Sequence, residues 1–129
     1  MSAKKIIFTE KAPAPIGPYS QAVLMGNTLY TSGQIALNPD TMALVLDDIE
    51  TETQQVMENM KAVLEAADMD FSNVVKTTIF IMNMGDFARI NSVYATYFDE
   101  ASAPARETVQ VCGLPKGVNI EISMVAVKN

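Results

Sequence analysis

Two residues of this chain combine a chemically useful type with an unusual position. Arg106 follows Pro104-Ala105 at the head of a strand-like run, and Glu121 lies inside the apolar segment Val118-Asn119-Ile120-Glu121-Ile122-Ser123-Met124-Val125-Ala126-Val127. A guanidinium can hold a carboxylate through two parallel N–H bonds. A carboxylate in so apolar a strand needs solvent, a partner or a task. Read as a site, the pair offers anion binding together with proton transfer. The competing readings are a surface arginine paired with Glu107 or Asp99, and a glutamate in a salt bridge across the sheet. Spacing alone leaves both open.

Further candidates gather around them. Period-2 alternation puts Arg106, Thr108 and Gln110 on one side of their strand, with Glu107, Val109 and Val111 on the other. Tyr19 follows Gly17-Pro18 on stiff backbone, where an aromatic ring can wall a pocket or pack a core. Ser32-Gly33-Gln34 closes a strand, so a hydroxyl and an unshielded amide could receive an oxyanion there, or form a plain turn. Asn91 interrupts the apolar stripe between Phe87 and Tyr94, as a backbone cap or a ligand contact.

The chain has no histidine, which excludes Ser-His-Asp triads, Cys-His pairs, histidine–zinc clusters and imidazole bases. Its six glycines are dispersed and begin no phosphate-binding loop. Proton transfer falls to carboxylates, Tyr, Lys, water or the substrate, and no cofactor or metal is expected.

Global properties narrow the partners. A chain of 129 residues fits one domain, residues 1–129, with a core that needs no disulfides. The net charge of −6, with scattered Lys and Arg, argues against nucleic acid and against membrane surfaces. The apolar run after Met1 is too short for a signal peptide or a span, and the single cysteine, Cys112, suits a reducing compartment; a cytoplasmic protein is expected. Cys112 reads as a small buried apolar residue.

The elements that must position these residues follow from periodicity. Lys4 to Thr9 reads as a strand, followed by a proline-rich loop from Lys11 to Tyr19. Gln21–Met25 and Thr28–Ser32 form a hairpin about Gly26-Asn27. Leu44-Val45-Leu46 is a short edge strand or an extended arm. From Asp48 to Ala67 the positions Val56, Met57, Met60, Val63, Leu64 and Ala67 mark an amphipathic helix, with Glu52, Glu58, Lys61 and Glu65 facing away. Ser72 to Met82 is a β-branched strand, and a second helix runs from Asp86, as N-cap, to Asp99. Strands Glu107–Val111 and Val118–Val127 close the chain, the latter placing Asn119, Ser123, Val125 and Val127 on the face of Glu121. This order predicts an α+β fold, a mixed sheet of about six strands with two helices on one face. Several strands carry apolar residues at both parities, so the second face needs cover, and oligomerisation is the economical way to supply it.

Taken together, five segments resemble the RidA/YjgF family of reactive-intermediate deaminases: Ile16-Gly17-Pro18-Tyr19-Ser20-Gln21-Ala22, Tyr30-Thr31-Ser32-Gly33-Gln34-Ile35, Val75-Lys76-Thr77-Thr78-Ile79-Phe80, Phe87-Ala88-Arg89-Ile90-Asn91, and Pro104-Ala105-Arg106 through Leu114-Pro115 to Ile120-Glu121-Ile122. The resemblance spans essentially the whole chain. It implies a chorismate-mutase-like fold, a homotrimer with clefts between subunits, and hydrolysis of small 2-imino acids such as 2-iminopropanoate and 2-iminobutanoate to 2-keto acids and ammonia. Carried over by position, Arg106 would bind the substrate carboxylate and Glu121 would activate water. Tyr19, Asn91, Ser32, Gly33 and Thr108 would shape the cleft and orient the ligand. The chain departs from the family pattern at Glu107, usually a small residue, and at Thr108, where many members carry cysteine. Some members resemble translation-inhibiting ribonucleases; a non-catalytic trimer that captures small carboxylates, as a binding or chaperone module, is a further alternative.

Overall fold

Two periodicities in the sequence, near 2.0 and near 3.6, become strands and helices where expected. The computed structural model describes residues 3–129. Its strands are β1 (Lys5–Ile7), β2 (Ala22–Met25), β3 (Thr28–Thr31), β4 (Val74–Ile81), β5 (Ala105–Gln110) and β6 (Ile120–Val127), with helices α1 (Ile49–Ala66) and α2 (Phe87–Tyr94). They form one mixed sheet in the order β1-β2-β3-β6-β4-β5. Only β4 and β5 run parallel.

Alternate residues of β6, Ile120, Ile122, Met124 and Ala126, are buried and share a core with Val56, Met60, Val63 and Leu64 of α1 and Ile90 and Tyr94 of α2. Both helices therefore cover one face of the sheet. The opposite face carries Tyr30, 54% exposed, and Val109, 42% exposed, beside the half-buried Phe80 and Val125. Among the described residues nothing covers that apolar surface.

Local chemistry sets the element boundaries. Asp48 caps α1 by accepting from the Thr51 amide at 2.7 Å, and Gly26 takes φ 60° in the β2–β3 turn. The second helix is shorter than its stripe predicts. After Tyr94 it tightens into a 3-10 turn over Ala95–Tyr97. Asp86 makes no side-chain cap; Asn83 caps the 3-10 turn Met84–Asp86 that leads into the helix, accepting from the Gly85 amide at 2.8 Å.

Several expectations are corrected. Glu52, expected on the outer face of α1, is 0% exposed, because the start of β6 passes over the first turns of the helix and offers it two donors. Asn119 supplies both. It precedes the first paired residue of β6, so strand alternation does not hold its side chain on the face of Glu121. Cys112 is exposed on the turn after β5 rather than buried. Of the two readings for Leu44-Val45-Leu46, the extended arm is the one found, with an isolated bridge from Leu37 to Leu44. The first strand, expected over Lys4 to Thr9, is confined to three residues.

Candidate active site

The parallel pairing of β4 and β5 aligns Thr77 with Arg106 and Ile79 with Thr108. Thr77 and Ile79 are buried on the helical face, so Arg106 and Thr108 stand on that face too, at the edge of the sheet beside α2. There Arg106 Nη1 donates to Asn91 Oδ1 at 2.7 Å. Its guanidinium carbon lies 5.5 Å from the centre of the Phe87 ring and 5.0 Å from that of Tyr94. One hydrogen bond and two aromatic faces fix the guanidinium plane, while its remaining donors stay accessible. Neither of the competing partners holds it, since Glu107 turns to the other face and pairs with Lys76 at 3.2 Å.

Behind Arg106, burial pushes the Tyr94 phenol up, so it stays neutral; the Thr77 hydroxyl, close but not aligned as a hydrogen-bond partner, and the Arg106 charge oppose this only in part. The hydroxyl of Thr108 is also buried without a partner among the described residues. In front of Arg106 opens a cleft of about 740 Å³, walled by Tyr94, Phe98, Glu100 and Pro104.

Glu121 occupies a different setting. It pairs across the sheet with Phe80, on the face away from the helices. Its carboxylate rests on Gly33, where an added Cβ would overlap its carboxyl group. Half-burial alone raises the Glu121 pKa above the ordinary 4.5, and among the described residues no neighbouring cation opposes it. The Gly33 amide has no backbone acceptor among the described residues. Ser32 donates its hydroxyl to the Ser20 carbonyl at 2.6 Å, which leaves the oxygen lone pairs for a ligand. A second cleft, about 350 Å³, runs from Glu121 and Gly33 to Tyr19, with Ile16, Ile35 and Pro115 in its walls beside the polar Ser32 and Gln34.

Two buried amides that the sequence reading did not single out build this second cleft. Gln21 accepts from the Thr9 amide at 2.7 Å and donates to the carbonyls of Thr9 and Pro13, pinning the proline-rich loop. Asn59, on α1, donates to the carbonyls of Ile35 and Leu37 at 3.1 and 2.9 Å. For Asn59 the sequence carried a signal, a polar residue beside Val56, Met60 and Val63 on the core stripe of its helix; Gln21, directly before the buried Ala22, falls on the other parity of its strand and carried none. Tyr19 folds back on its own loop, its hydroxyl accepting from the Ile16 amide at 3.3 Å.

The residues singled out from sequence thus fall into two groups. Asn91, Arg106 and Thr108 lie on the helical side; Tyr19, Ser32, Gly33 and Glu121 lie on the open side. The sheet separates them, so one chain alone does not present Arg106 and Glu121 to the same small molecule. One group presents a guanidinium with accessible donors, the other a carboxylate beside an amide with no backbone acceptor among the described residues. Among the described residues no group of three or more His, Cys, Asp or Glu is placed to hold a metal ion. Among those residues no helix is long and apolar enough to cross a membrane.

Comparison with known proteins agrees along the whole length. Residues 9–128 match the family model described as endoribonuclease L-PSP. A RutC family protein of Pyrococcus horikoshii is 53% identical over 97% of this chain and 98% of its own length. The mouse 2-iminobutanoate/2-iminopropanoate deaminase is 47% identical over 97% of this chain and 92% of its own. The crystal structure of the Escherichia coli YjgF gene product superposes with a TM-score of 0.91 at 46% identity, covering 97% of this chain and 99% of that one.

Proposed function

Since the chain belongs to the RidA/YjgF family, the one described as endoribonuclease L-PSP, we propose that it hydrolyses small 2-imino acids to 2-keto acids and ammonia in clefts between the subunits of a chorismate-mutase-like homotrimer. The observation that carries the proposal is the separation of Arg106 and Glu121 on opposite faces of the sheet. A cleft with both requires the helical side of one subunit against the open side of the next. The uncovered apolar face beside Glu121, with Tyr30 and Val109 exposed, supports such packing.

In this reading Arg106 grips the substrate carboxylate with the donors that Asn91 leaves free. The iminium carbon is already electrophilic, so the protein needs only to place a water about 3 Å away and accept its proton. Glu121 takes that proton as the water oxygen bonds to C2, giving a tetrahedral carbinolamine. The proton then passes to the amino nitrogen, and Glu121 takes the C2 hydroxyl proton as the C–N bond breaks; the C2 oxygen becomes the keto group, and the freed ammonia carries that last proton away as ammonium. Burial raises the pKa of Glu121 above the ordinary 4.5, which makes its carboxylate a better proton acceptor than a free glutamate. The Gly33 amide would steady the oxygen that develops negative charge. Tyr19, Ser32 and Thr108 complete the walls.

A ribonuclease reading has the family description in its favour. Against it stand a net charge of −6 and the absence of any histidine. The test is direct. Purified protein should accelerate the loss of 2-iminobutanoate and 2-iminopropanoate, and Arg106→Ala should abolish the acceleration. If wild type and variant leave the imine to its spontaneous rate, a trimer that only captures carboxylates becomes the better account.

A further inference from the structure

We propose that Glu52 is a positioning residue: it fixes the register in which β6 begins and thereby holds Glu121 on Gly33, an inference that rests on the water-activating role read for Glu121. Glu52 is fully buried in the first turn of α1, and among the described residues no Lys or Arg lies within ion-pair distance of it. A carboxylate taken out of water without a cation is costly, and an apolar residue would fill the space at less cost. The positive end of α1 offsets the charge only in part.

What a carboxylate offers here is two acceptors and no donor. Asn119 presents two donors: its amide N–H reaches Glu52 Oε2 at 2.8 Å, and its side-chain Nδ2 reaches Oε1 at 2.7 Å. A glutamine could satisfy only one of them, because its own NH₂ would face that of Asn119. The Asn119 carbonyl in turn accepts from the Met82 amide at 3.1 Å. Asn119 is thereby tied to α1 and to the residue after β4.

The place of this clamp gives it consequence. The chain reaches β6 from an irregular turn in which Lys116 and Gly117 both take positive φ, 57° and 70°, so the preceding backbone does not dictate the register. Beyond the clamp, β6 is held on one side by β4, which pairs Ile120 with Ile81 and Glu121 with Phe80, and on the other by the reciprocal bonds between Gln34 and Ile122, at 2.8 and 3.1 Å. Glu121 lies between the clamp and the bonds of Gln34 with Ile122. A slip of one residue would turn it from Gly33 into the helical core.

The test uses the full-length protein with 2-iminobutanoate as substrate and 2-oxobutanoate as an unreactive ligand for Arg106. Glu52→Gln and Asn119→Asp should each lower kcat roughly tenfold, per folded protein, while KM and the dissociation constant of 2-oxobutanoate stay within about twofold. The double variant E52Q/N119D should recover at least about half of the lost turnover, because donor and acceptor merely exchange places between the two side chains. Single variants that retain kcat, or that change kcat and KM alike, would overturn the proposal, as would a double variant no better than the singles. Should the wild type hydrolyse no imine, the deaminase reading fails separately. The seat of Glu121 is then read by its carboxyl 13C titration, which should move toward the ordinary 4.5 in the singles and back in the double variant. An unmoved titration would refute the clamp.

Discussion

Arg106 and Glu121 stand on opposite faces of the same sheet, Arg106 in register with the buried Thr77 and Glu121 in register with Phe80 three residues along β4. If the reacting cleft takes one of them from each of two neighbouring subunits, two inactive variants can repair one another. Arg106→Ala and Glu121→Gln, unfolded together and reassembled in equal amounts, should regain about a quarter of wild-type turnover, the share of interfaces that receive both native residues by chance. Each variant reassembled alone should stay inactive. Lack of recovery in the mixture would place the site within one subunit.

Asn91 holds Arg106 by one 2.7 Å bond and does not itself add charge. Asn91→Ala should therefore weaken the grip on the carboxylate more than the chemistry. KM is expected to rise roughly fivefold to tenfold with kcat nearly unchanged, in keeping with the loss of about 1 kcal/mol from one charge-assisted bond. Steady-state kinetics decides it, and a fall confined to kcat would contradict the assigned role.

The pH dependence has a definite sign. Burial raises the Glu121 pKa above 4.5, so the active carboxylate form is lost as pH falls through the raised value, and the acid limb of kcat/KM should lie above pH 4.5. Stability runs the other way: the folded state holds this proton more tightly than the unfolded chain, so the contribution is complete below pH 4.5 and declines as pH rises through the raised pKa. Glu121→Gln should remove the acid limb and cut kcat about a hundredfold while keeping 2-oxobutanoate affinity.

Gly33 offers a milder probe of the same carboxylate. A methyl group there would overlap the end of the Glu121 side chain and not backbone, so Gly33→Ala should fold. Its thermal melt is expected to stay near that of the wild type while kcat drops at least roughly tenfold, as befits a displaced base. Full activity in this variant would show that Glu121 does not work from its seat on Gly33.

Away from the site, Asp68 follows the end of α1 with φ 58°, a backbone conformation that glycine adopts without penalty. Its amide still donates to the Glu65 carbonyl at 2.9 Å, so the turn itself is sound. Asp68→Gly should raise stability by about 1 kcal/mol per chain in chemical denaturation, with activity unaffected. A destabilised variant would mean that the aspartate side chain contributes more than its backbone costs.

Much of the fold was legible because burial writes period and punctuation into the chain. The stripe of Val56, Met60, Val63 and Leu64 announced α1, and Gly26-Asn27 announced the hairpin. Glu52 shows where that logic stops. Helical period places it among solvent-facing charges, yet a second segment, remote in sequence, brings the two N–H groups of Asn119 over it. Cys112 fails in the opposite sense, an apolar type left outside because its turn projects from the sheet edge.

The site divides along the same line. By itself the sequence determined which residues carry usable chemistry, the parity of Arg106 with Thr108 and of Glu121 with Ser123, and the need to cover a second sheet face, since all of these depend on residue type and on neighbours close along the chain. Only the tertiary structure decided that Arg106 is held by Asn91 between Phe87 and Tyr94, that Glu121 sits on Gly33, and that the sheet lies between them. Alternation fixes a face within one strand. Relating the faces of β5 and β6 requires the register that β4 imposes on both, and that register is set by hydrogen bonds between segments far apart in sequence.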